Sequence, residues 1–239
     1  TTTELLRAWW AETRAATRVF FWQQPFRSEQ WPDRIAPAES GRRGVLLIHG
    51  FLCNRGFWNR WLARLTAADI PVLAINLEPL FGPINAYSDA IEAAVSRIED
   101  ATGQPPIVVA HSMGGLALRL WYAGQPVARI HRAITLGTPH RGTWLARYAL
   151  SVNGRQMRRG SPWIDALESS EHAKRATRFI CFYSSCDNIV FPPSTATLPG
   201  ADNRHVPATA HVDMADHPHP WEALMNLLEE ATPLAGTRY

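Results

Sequence analysis

At 239 residues the chain has room for one large α/β domain, and 46% hydrophobic against 19% charged residues rules out a disordered segment. The formal charge of +3 is carried almost entirely by arginine, with Lys174 the only lysine, and no basic run points to a nucleic-acid partner. No stretch reaches the roughly 18 consecutive apolar residues of a membrane-spanning helix.

In chain order, Leu5, Leu6, Trp9, Ala16, Val19 and Phe20 recur at helical spacing with arginines between them, which predicts an amphipathic helix over residues 4–22. Residues 24–43, rich in proline, serine and charge, read as an extended connector, so an N-terminal arm (1–43) precedes a domain at 44–239. Short apolar runs then alternate with helical patterns. Strands are expected at 45–48, 71–75, 107–110, 133–136 and 179–183, and helices at 57–68, 86–101, 113–122 and 220–230. Continuous apolar strands alternating with helices imply an α/β fold, a mostly parallel central sheet with helices on both faces. The interval 139–170, with Arg141, Arg147, Arg155, Arg158 and Arg159, reads as a small cap-like insertion over one end of the sheet. Cys53, Cys181 and Cys186 lack metal-ligand spacing and read as free thiols. No signal-peptide pattern begins at Thr1, where either a removed leader or a trimmed sequence is expected, and an exported or membrane-associated protein is as compatible with the sequence as any other.

The segment Ala110-His111-Ser112-Met113-Gly114-Gly115 sits where an apolar strand runs directly into a helix. A nucleophilic serine on such a strained turn needs small neighbours two positions before and after, which Ala110 and Gly114 supply. The helix that follows aims its N-terminal dipole at a developing negative charge. The ordinary reading is a strand–helix turn with a serine N-cap; the double glycine favours the nucleophile. His49-Gly50-Phe51 follows the first strand, so the Phe51 amide is placed to pair with the Met113 amide as an oxyanion hole.

Three segments together resemble bacterial lipases and carboxylesterases of the α/β-hydrolase superfamily: Leu47–Phe51, Ala110–Gly115 and Leu136-Gly137-Thr138-Pro139-His140-Arg141-Gly142-Thr143. The resemblance runs from Gly44 to the last helix, and Gly160–Trp163 is similar to the segment after the cap in those proteins. It implies the α/β-hydrolase fold, hydrolysis of esters with apolar acyl chains through an acyl-enzyme, and no cofactor. It also implies the chain order serine, acid, histidine. Asp187, in the loop after the strand at 179–183, is then the acid, with Asp202, Asp213 and Asp216 as alternatives. His211, in a loop before the last helix, is the base, ahead of His205, His217 and His219. His111 reads as an orienting residue beside the nucleophile, and His131 and His140 as loop or surface residues. Asp213 matches the offset of a calcium ligand in some related secreted lipases, but no second carboxylate is at hand, so no metal is expected. Leu52, Trp144 and Leu145 are the substrate-binding candidates, by burial of acyl chain.

An acyltransferase, a thioesterase or a silent hydrolase-fold binding protein remain alternatives on the same constellation. The partner implied is a small-molecule or lipid ester. Trp9, Trp10, Phe20, Phe21 and Trp22 beside Arg7, Arg14 and Arg18 suit a lipid surface, and equally a helix that packs its aromatic face on the core; the large stabilisation from aromatic burial favours packing.

Overall fold

The computed structural model describes residues 1–35, 41–170 and 173–230, with only the backbone of 173–174. Six strands form one sheet: β1 (Val45–Ile48), β2 (Val72–Ile75), β3 (Ile107–His111), β4 (Arg132–Leu136), β5 (Phe179–Tyr183) and β6 (Asp202–His205). Their order is β2-β1-β3-β4-β5-β6, and every neighbouring pair is parallel. The helices are α1 (Thr2–Arg18), α2 (Gln24–Arg27), α3 (Asn59–Ala67), α4 (Ser88–Thr102), α5 (Met113–Ala123), α6 (Val152–Gln156), α7 (Pro162–Ser170), α8 (Ala173–Ala176) and α9 (Pro218–Glu230).

Alternate residues of each central strand enter different cores, which is why these strands are apolar throughout. Leu46 and Ile48 of β1 pack with Val108 and Ala110 of β3 and the apolar faces of α4 and α5. Val45 and Leu47 turn the other way and pack with Val109, Ile134, Trp58, Trp61 and Leu224. The chain runs from β1 to β2 on one side and returns to β3 on the other. β1 and β3 therefore flank the point where strand order reverses, and a crevice opens at their carboxyl ends. Ile48 lies beside Ala110 in register, so the loops after these two strands face each other across it.

Two elements depart from expectation. The strand β6 was not anticipated: Asp202, Asn203, Arg204 and His205 are polar and exposed, and the strand joins the sheet edge through its backbone ladder to β5, with Asn203 and His205 adding side-chain bonds to Leu198 and Ser185. The N-terminal helix does not give way to connector at Gln24. A wide π turn, Val19–Gln23, carries it into α2 just ahead of Pro25, which has no N–H to give the carbonyl four residues earlier.

The same helix also faces opposite to expectation. It buries Ala8, Ala15 and Val19, while Trp9, Trp10 and Phe21 are 59%, 61% and 74% exposed, with Leu5, Leu6, Trp22 and Phe26 also outward. Small residues let the helix backbone approach the core closely, and the bulky side chains are left to solvent. The Thr1–Glu4 capping box starts this helix, and an Arg18–Asp216 ion pair ties its end to the segment ahead of α9. Interval 139–170 folds as a 3₁₀ turn, Trp144–Tyr148, followed by α6 and α7. All three cysteines are free thiols.

Candidate active site

Ser112 occupies the junction of β3 and α5 with φ +53° and ψ −127°, a backbone conformation that an L residue adopts only under constraint. The constraint is local crowding. Its own N–H donates to the Leu136 carbonyl at 2.9 Å, and α5 passes so close to β1 that a Cβ on Gly114 would stand 2.4 Å from the His49 oxygen. Across the crevice, a Cβ on Gly50 would fall 2.7 Å from the Ser112 Cβ. Both glycines are required for the serine to sit where it does.

His211 Nε2 lies 2.9 Å from Ser112 Oγ, and His211 Nδ1 lies 3.0 Å from Asp187 Oδ2. The other carboxylate oxygen, Oδ1, accepts from the Ile189 and Val190 amides at 2.8 Å each, which fixes the carboxylate plane. All three side chains are buried. Burial depresses the His211 pKa, but the charge and hydrogen bond of Asp187, with the charge of Glu12, outweigh it and leave the value raised. This geometry lets the imidazole take a proton from the serine hydroxyl while the carboxylate stabilises the resulting cation.

Two further histidines hold the frame. His49 hydrogen-bonds the Gly50 carbonyl at 2.9 Å and accepts from the Leu77 amide at 3.0 Å, and burial pushes its pKa down to about 4. A neutral His49 thus pins the loop after β1. His111 stacks on Phe57, with ring centroids 4.4 Å apart, and donates from Nε2 to the His211 carbonyl at 3.1 Å. Burial, then the neighbouring His211 and His49, holds its pKa well below the ordinary value, so it is a neutral strut.

The alternative acids and bases lie elsewhere. Asp202 pairs with Arg204 on the exposed edge strand, Asp216 pairs with Arg18 and Arg60, His205 bonds Ser185, and His217 and His219 pack on each other where α9 begins. His140 is not a surface residue: it is fully buried, with Nε2 3.1 Å from Thr135 Oγ1 and its carbonyl accepting from Arg119 at 2.7 Å. Among the described residues, no group of three or more His, Cys, Asp or Glu is arranged to hold a metal.

The family model described as "Alpha/beta hydrolase family" matches residues 45–233. The chain belongs to the α/β-hydrolase family. Solved α/β-hydrolase structures align with it at low identity. Aspergillus fumigatus lipase B aligns with a TM-score of 0.71 at 20% identity, covering 84% of this chain, which spans only 56% of that protein. The mature Bacillus licheniformis lipase BlEst2 aligns at 0.68 and 17%, covering 83% of this chain and 96% of its own. The Paleococcus ferrophilus monoacylglycerol lipase aligns at 0.58 and 14%, covering 84% and 96%. At such identities the likeness is one of fold. No curated protein is matched by sequence.

In this α/β-hydrolase-family chain Ser112 and His211 open onto a largely apolar cavity of about 350 Å³. Phe51 and Leu52 line one side, with Leu145, Met157 and Thr143 from the interval after β4 on another. Trp144 is not among the lining residues; it lies half exposed, edge to face with Tyr148, and Arg147 stacks over both rings. Met113 is buried beneath the site. One further wall was not anticipated: Glu12, Ala16 and Phe20 come from the N-terminal helical arm. Only the small residues at 8, 15, 16 and 19 hinted at a close approach, and a pattern of small residues does not say what is approached.

Proposed function

We propose that this chain is a serine carboxylic ester hydrolase acting on esters with apolar acyl chains. The observation that carries the reading is the continuous hydrogen-bonded chain Asp187–His211–Ser112, ending at a strained serine in an apolar cavity. In this reading His211 Nε2 takes the Ser112 proton as Oγ bonds the ester carbonyl carbon. The Phe51 and Met113 amides donate to the oxygen that becomes negative. Collapse expels the alcohol, which leaves with the proton held by His211, and the acyl group stays on Oγ. Water then repeats the sequence: its oxygen bonds the acyl carbon as His211 takes its proton, the acyl–Oγ bond breaks with that proton passing from His211 to Oγ, and the carboxylic acid departs. No cofactor enters any step.

Leu52 and Leu145 contact the acyl chain, each methylene buried contributing about 0.8 kcal/mol, and Trp144 acts at the rim. The outward aromatic residues of α1 and α2, flanked by Arg7, Arg14 and Arg27, seat the protein on the lipid surface that supplies the ester. A panel of p-nitrophenyl esters from two to sixteen carbons tests the reading, with Ser112→Ala as control. Activity rising with acyl length, and a variant at least about 10⁴-fold slower, is expected. Ester hydrolysis undiminished in Ser112→Ala would refute it.

A further inference from the structure

The N-terminal helix reaches the site with one side chain that the triad chemistry leaves unassigned. Glu12 lines the cavity that holds Ser112 and His211, although 200 residues of sequence separate it from the residue after His211. Its carboxylate accepts from the Val212 amide, 3.1 Å from one oxygen and 2.9 Å from the other, and from the Asp213 amide at 2.9 Å. These are the two peptide N–H groups that directly follow His211. On its other side, His211 donates its own N–H to Asn188 Oδ1 at 3.3 Å, and its carbonyl accepts from His111. The backbone at and just after the base is thus gripped at four polar groups. Two of those grips depend on a single carboxylate from an arm outside the span matched by the family model.

We propose that Glu12 is a positioning residue for His211, holding the base loop so that Nε2 stays within hydrogen-bonding reach of Ser112 Oγ. The proposal rests on the ester-hydrolase reading above. A hydrogen bond from an amide to a charged acceptor is stronger than a neutral one, and neither amide has another partner among the described residues. Without Glu12 both would need water inside an apolar wall. The groups that face the His211 ring are Ser112, Asp187, His111 and Glu12. Glu12 therefore acts on the base in two separable ways, through the backbone geometry and through its negative charge.

The test compares Glu12→Gln and Glu12→Ala in the full chain. A small displacement of the base from the nucleophile lowers kcat without altering substrate binding, so Glu12→Ala is expected to lose about 10- to 100-fold in kcat with KM within about twofold. Glu12→Gln keeps an acceptor oxygen and is expected to recover much of that loss. Both variants lose the charge that helps to raise the His211 pKa, so in both the acid limb of kcat/KM moves to lower pH. A helix tether alone would lower Tm and leave the limb in place. Wild-type kcat together with an unmoved limb, measured well below the Tm of each variant, overturns the proposal, and Glu12→Gln decides it if Glu12→Ala does not fold. NMR titration of His211 in a Ser112→Ala background reads the same pKa change without catalysis. A wild type inert towards every ester therefore refutes the hydrolase reading, whereas an active wild type with kcat and His211 titration both unchanged in Glu12→Gln refutes this one.

Discussion

Ser112, His211 and Asp187 form one unit, so their substitutions should not behave as independent losses. His211→Ala is expected to approach the Ser112→Ala defect, and Asp187→Asn to fall somewhat short of it, because an amide still occupies the space but holds the imidazole less well. Steady-state kcat on a short ester measures all three. The raised His211 pKa places the acid limb of kcat/KM above the ordinary imidazole value of about 6.5, with activity lost as pH falls through it. Asp213 tests the choice of acid from the other side. Burial, then the charges of Asp216 and Glu12, lifts its pKa to about 6 against the pull of Arg18 and Arg60. A carboxyl that binds its proton more tightly folded than unfolded loses stability as pH rises from the unfolded value, about 3.9, to the folded one. Asp213→Asn should therefore raise Tm at pH 7–8, with the gain vanishing below pH 4, and leave hydrolysis intact. Loss of hydrolysis in this variant, greater than in Asp187→Asn, would transfer the acid's role to Asp213. The serine turn was legible in sequence because its demands are local: small residues at fixed offsets, at the end of an apolar run. The contribution of Glu12 was not, because a carboxylate two hundred residues from the loop it holds leaves no local pattern.

At the scale of elements, the apolar strands announced themselves because both faces are buried, whereas β6 could not, having no buried side chain to impose a period. The N-terminal helix was legible as a helix, but its orientation was not. Hydrophobic periodicity marks an apolar stripe without saying whether that stripe meets protein or something else, and here the small residues Ala8, Ala15 and Val19 meet the core. The two faces are separable by mutation. Replacing Trp9, Trp10, Phe21 and Trp22 together by serine should abolish binding to anionic liposomes, read by co-sedimentation, while changing Tm by no more than about 2 °C, since none of these side chains is buried. Deleting residues 1–24 instead removes buried Ala8, Ala15 and Val19 as well, and should lower Tm by several degrees and weaken short-ester activity. Liposome binding retained by the serine variant would show that the exposed aromatic face is not what meets lipid.

Viewed as a whole, the hydrolase builds its cavity from segments far apart in sequence: the N-terminal arm, the loop after β1, the turn after β3, the interval after β4, and the His211 loop. The sheet and the relative placing of the strand-end loops follow from the order of apolar strands, which the sequence pattern carries. The closing of the cavity does not, because it depends on long-range packing of the arm. Filling the cavity should therefore tie these segments together and raise global stability. Each methylene of an alkyl phosphonate on Ser112 that passes from water into the cavity contributes about 0.8 kcal/mol, and about 1 kcal/mol shifts Tm by about 2–4 °C in a chain of this size. A decyl phosphonate should thus raise Tm several degrees further than an ethyl phosphonate bound to the same serine, as read by differential scanning calorimetry. In the 1–24 deletion, which lacks Glu12, Ala16 and Phe20 as a wall, the chain-length increment should largely disappear. Equal Tm values for the two adducts in the full-length protein would mean that the alkyl chain lies outside the cavity, and the assignment of that cavity to the acyl group would fall with it.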